Sequence, residues 1–143
     1  MMDIKDLLQQ VYTVAFRLTG REEAAAALVR AALPLTEEAP RWQQNPLPVH
    51  YLIKSAREVC RLFLHQPGGE KEGIKAALAA APGQQQTVQA ALLSLEPLPR
   101  VVVVWRDVAG FPVTELVPLV QQPVEDLYRI LGQGRRELQK QLA

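Results

Sequence analysis

Apolar residues recur along this chain mostly at steps of three and four, the spacing that places them on one face of a helix. Leu7, Val11, Val14 and Leu18 form the first such face, with Asp3 placed to cap the helix and Gly20 to end it in a left-handed turn. A second helix is predicted over EEAAAALVRAAL, opening on acids that suit its positive end and stopping at Pro34. A third is predicted from about Val49 to His65, with Leu52, Ala56, Val59, Leu62 and Phe63 on one side, before QPGG breaks it.

Proline and glycine divide the rest. Pro34, Pro40, Pro46 and Pro48 fall in one connection, Pro67 and Pro82 flank another, and Pro97 and Pro99 precede the last third. From Gln66 to about Gln86 the chain is Gly, Pro and Gln rich at both ends, with IKAALAAA able to form a short helix between them, and it reads as a linker. Thr87 then caps VQAALLSL. In VVVVWRDVAG the four valines favour a strand by propensity, but every neighbour is helical and a lone strand has no partner, so a short buried helix is expected. The fold class expected is all-α, with two small helical domains at 1–66 and 87–143 joined by a linker at 67–86.

Composition narrows the function classes. The 143 residues are 48% hydrophobic, enough for a core, and 16 Lys and Arg nearly balance 15 Asp and Glu. No segment escapes that balance: residues 1–66 carry eight cations to seven acids, 67–99 two to three, and 100–143 six to five. Neither half is a basic module, so any nucleic-acid contact has to come from a local patch. Cys60 is the single cysteine, which leaves no internal disulfide, and MMDIKDLL offers neither a basic leader nor a long apolar run; a cytoplasmic protein is expected. His50, His65 and Cys60 lack a recognised ligand spacing, and no nucleophile, base and orienter can be assembled. Neither a cofactor nor an enzymatic activity is expected. Trp105 and Phe111 are assigned to the core and Trp42 to packing a loop.

Read in order, the segments YTVAFRLTG, AAALVRAAL, YLIKSAREVCRLFLH, Arg100, RDVAG and GRREL resemble bacterial RNA polymerase sigma factors of the extracytoplasmic-function type. Leu95 to Leu138 resembles the promoter-binding C-terminal region of that family, including a helix-turn-helix, and 1–66 resembles its companion domain. The resemblance implies contacts to RNA polymerase core through Leu28, Val29 and Arg30, and to DNA through Arg57, Arg61, Arg129, Gln133, Arg135 and Arg136.

The chain departs from the family where partners are gripped. Ala26, Ala27 and Arg30 stand where acids and a glutamine are usual, and Glu58, Leu62 and His65 replace Asn, Asp and Arg. Val117 and Gln121 occupy places that a helix-turn-helix usually gives to a small residue and to glycine, and Pro118 lies in the first of its two helices. Glu125 and Asp126 suit the start of the second helix but repel phosphate there. Tyr128 and Ile130 stand near the DNA-reading positions and are candidates for a protein contact instead. Two functions are therefore implied: a sigma-like factor working with RNA polymerase and weakened in promoter binding, or a sigma-derived interaction module that binds a transcription protein or an anti-sigma factor and no DNA. No membrane partner is expected, and the oligomeric state stays open.

Overall fold

The computed structural model describes residues 4–33, 49–65 and 84–142, and among these every regular element is helical. Asp3, Pro34 to Pro48 with Trp42, and the expected linker up to residue 83, including its Ala-rich stretch, lie outside the described residues. Helix α1 spans Ile4–Thr19, α2 Glu22–Ala32 and α3 Val49–Leu64. In the second half α4 spans Gln84–Leu93 and α5 Pro97–Val103. A π-helical stretch, Val104–Val108, continues α5; a 3-10 turn at Val113–Leu116 leads into the one-turn α6, Val117–Val120; and the long α7 spans Val124–Leu142.

The expected apolar faces are the buried ones. Leu7, Val11, Val14 and Leu18 of α1 pack with Leu28 of α2 and with Leu52, Ala56, Val59 and Phe63 of α3, while Leu62 is half-buried. The valine run is helical, and Val101 to Val104 are buried, as are Trp105 and Phe111. One contiguous cluster runs from these residues to Leu116, Leu127 and Leu131, so the helices of both halves bury side chains against one another. Helix α4 begins at Gln84, three positions before the expected Thr87 cap. Glutamine is a good helix former, and nothing between Gln84 and Thr87 interrupts the helix.

Two glycines set close approaches. Gly20 ends α1 at φ +70°, and a Cβ there would come within 2.5 Å of Leu93 Cδ1 at the end of α4. A Cβ on Gly134 would lie 2.8 Å from Val103 Cγ2, so α7 crosses α5 at a distance only glycine permits. Close to the first of these contacts, Arg100 is 0% exposed. Its Nη1 donates to Leu18 O at 2.9 Å, its Nε to Leu92 O at 3.0 Å, and its Nη2 to Leu93 O at 2.9 Å and Leu95 O at 2.7 Å. The guanidinium carbon sits 5.4 Å from the centroid of Phe63. Leu18 and Leu93 lie in the last turns of α1 and α4, whose carbonyls a helix leaves without partners, whereas Leu92 O also accepts from Leu95 N at 3.1 Å and Leu95 O belongs to the connection after α4.

Gln121 is the non-glycine residue at positive φ among those described, at φ 56° and ψ 39°, in the turn where glycine is usual. Pro118 costs little, because the preceding 3-10 turn places it in the first turn of α6, where an N–H has no helical partner in any case. A left-handed conformation strains a residue with a Cβ by roughly 1–2 kcal/mol. Gln121→Gly is therefore expected to stabilise the protein by about 1 kcal/mol in urea denaturation, glycine's greater unfolded entropy offsetting part of the relief. Arg100→Leu is expected to destabilise by several kcal/mol, because each buried carbonyl left without a donor costs roughly 1–3 kcal/mol. Arg100→Lys should recover only part of that loss, since an ammonium cannot reproduce the planar fork. A midpoint for Arg100→Leu equal to wild type would show that the network contributes nothing.

Candidate nucleic-acid interface

Two helix faces carry the candidate cations. On α3, His50, Lys54, Arg57, Arg61 and His65 follow one another at helical steps, with His65 immediately past the helix end, and so share one side over about 22 Å. Only Arg57 and Arg61 are expected from the family resemblance; the steps of three and four make the longer stripe visible once the helix bounds are known. Glu58 stands at its edge. On α7, Arg129, Gln133 and Arg136 recur at steps of four and three and share a second face, while Arg135 projects from another side; all four are exposed.

Most of these arginines already hold a carboxylate. Arg57 Nη1 donates to the backbone carbonyl of Glu115 at 3.2 Å and to its side chain at 3.4 Å, across the two halves of the chain. Arg61 Nε donates to both carboxylate oxygens of Glu58 at 3.0 Å, one helical turn away, and that partner raises the Arg61 pKa. Arg129 pairs with Asp126 at 3.0 Å. Arg135 grips Asp107 with both ends of its fork, Nε at 2.8 Å and Nη2 at 2.5 Å. Arg136, lying beside Gly132, has no carboxylate partner among the described residues. The first turn of α7 carries Glu125 and Asp126.

The residues assigned to protein contact separate by depth. Leu28 is 2% and Val29 9% exposed, and both hold α2 in the core; Arg30 is on the surface, beside an exposed Ala27. Ile130 is half-buried against the core, whereas Tyr128 is 53% exposed. Sequence reasoning missed Asp107 and Glu115, because their partners stand 28 and 58 positions away in the chain. It also passed over Gln89, which accepts from Arg17 at 3.0 Å and donates to the Arg17 carbonyl at 3.0 Å, joining α4 to α1.

No family model and no curated protein matches the sequence. Among solved structures, the chain is similar to the sigma factor RpoE from Bartonella quintana, determined in complex with the anti-sigma factor NepR, with a TM-score of 0.69 over 95% of this chain and 91% of that one. The two sequences are 16% identical, so the likeness is one of fold. Among the described residues no group of three or more His, Cys, Asp or Glu could hold a metal, and no helix is long and apolar enough to cross a membrane.

The Asp107 carboxyl is held below its usual pKa chiefly by the hydrogen bonds from Arg135; partial burial opposes this, and the charges of Arg135 and then Arg106 add to the lowering. A depressed pKa makes the pair stabilising above the ordinary carboxylate range, and that contribution is lost as pH falls through the lowered value. Carboxyl-detected NMR titration should show Asp107 protonating at lower pH than a free aspartate, and Arg135→Gln should move its midpoint upward. An unchanged midpoint would mean that the pair does not persist in solution.

Proposed function

We propose that this chain is a sigma-like transcription protein, related to the extracytoplasmic-function type, that has kept the scaffold and lost most of its sequence-specific hold on promoters. In this reading residues 1–66 correspond to the polymerase-binding domain and 87–143 to the helix-turn-helix domain. The partners are RNA polymerase core or another transcription protein, with an anti-sigma factor suggested by the complex in which the similar sigma factor was solved. The observation that carries the proposal is the pairing of Arg57, Arg61, Arg129 and Arg135 with carboxylates of the same chain. Exposed ion pairs are worth about 0–1 kcal/mol, so a phosphate can displace them, but each displacement costs part of the affinity gained. Base readout suffers more, because Tyr128 and Ile130 offer no bidentate cation to a guanine edge.

The expected behaviour is weak duplex binding, steeply dependent on salt and almost indifferent to sequence. Selection from a random duplex pool in the presence and absence of polymerase tests this, and a strong consensus enriched at physiological salt would overturn it. A second reading, a sigma-derived module that binds protein and no DNA, is favoured by the exposed ring of Tyr128 on the helix that would otherwise face DNA. Under that reading Tyr128→Lys abolishes capture of the partner from the native host, while wild-type duplex binding stays undetectable.

A further inference from the structure

The two carboxylates that hold Arg57 and Arg135 come from one connection. Asp107 lies near the end of the π-helical stretch and Glu115 in the 3-10 turn that follows. Between them the chain is pinned to the core: Phe111 is buried, its ring centroid 4.7 Å from that of Trp105, and Trp105 Nε1 donates to Pro112 O at 2.8 Å. Gly110, at φ +76°, turns the backbone between the two acids. A fixed segment thus delivers one carboxylate to α3 and another to α7, the two helices that carry the candidate cations.

We propose that the Asp107–Glu115 connection is an internal phosphate mimic, an autoinhibitory clamp that occupies Arg57 and Arg135 together and that a nucleic-acid backbone must displace at both places. The chemistry fits, because a carboxylate and a phosphate offer the guanidinium fork the same pair of oxygen acceptors. Asp107 engages Arg135 in that two-pronged way, and Glu115 engages Arg57 through both its side chain and its carbonyl. The side chains of Asp107 and Arg135 are 34% and 49% exposed, those of Glu115 and Arg57 41% and 31%, so a competing anion can reach each pair without unfolding. The inference rests on the weak, sequence-indifferent DNA binding proposed above.

The test measures binding of the full chain to a short scrambled duplex over a series of salt concentrations. Asp107→Asn and Glu115→Gln are each expected to tighten binding about two- to fivefold and the double variant by about the product, as the loss of an exposed ion pair implies. Each should steepen the plot of log affinity against log salt by about 0.9, the increment of one more phosphate contact. Glu23→Gln, which removes the same charge from the exposed first turn of α2, controls for net charge and should leave the slope unchanged. The gain from Glu115→Gln should vanish in an Arg57→Gln background, and that from Asp107→Asn in an Arg135→Gln background. Gains no larger than that of Glu23→Gln, or gains that persist in those backgrounds, overturn the clamp while leaving sequence-indifferent binding intact. A consensus selected by wild type would instead overturn the functional reading, and absence of duplex binding in every variant would overturn both.

Discussion

The buried guanidinium of Arg100 is the contact on which the arrangement of the two halves depends. A helix ends with carbonyls that point away from it and have no partner of their own. Here α1 and α4 end close together, near enough that Gly20 has no room for a Cβ beside Leu93, and the carbonyls of Leu18, Leu92, Leu93 and Leu95 converge on one side chain. Arginine suits that place because its donors lie in one plane and point in several directions, and its charge is favourable at the negative ends of two helix dipoles. The desolvation of the cation is thereby offset by the dipoles it satisfies. The face of Phe63 brings α3 against the same group.

From that junction the rest of the second half is laid out by α5. Its valines fill the core, its crossing with α7 is fixed at Gly134, and its π-helical continuation places Trp105 inside while Arg106 and Asp107 remain outside. The widened turn closes through Ala109 N donating to Val104 O at 2.9 Å and Phe111 N to Trp105 O at 3.0 Å. Such stretches are rare in helices and often accompany function. In this chain it positions the acid that grips Arg135.

Electrostatics then separates this protein from a basic DNA-binding module. The near-zero net charge seen in the composition is distributed as local pairs, with arginines on both candidate faces held by acids of the same chain. Local pairing keeps the field short-ranged, so long-range steering toward a polyanion is weak even where cations are exposed. The fold does not depend on those surface charges, because packing of the core holds the helices together while exposed ion pairs contribute little to stability.

Much of the fold was legible in the sequence, because helical periodicity and backbone punctuation are local. The face from Leu7 to Leu18, the stop at Gly20 and the bounds of α3 all follow from neighbours within a few positions, and the strained place at Gln121 follows from the helix-turn-helix resemblance. Even the valine run resolved correctly once its helical context outweighed propensity. What the sequence could not determine was which groups meet across the chain. Arg100 stands in the sequence only as one position of the family pattern, and only the convergence of two distant helix ends makes it a buried hub. Glu115 and Asp107 read as ordinary acids, and only the folded connection carries them to Arg57 and Arg135. Leu28 and Val29, assigned to a partner's surface by family position, went to the core because α2 turns that face toward α1 and α3. Local pattern determines which helices form; the pairing of charges and the burial of a single guanidinium depend on distances between segments, and those exist only once the helices have packed.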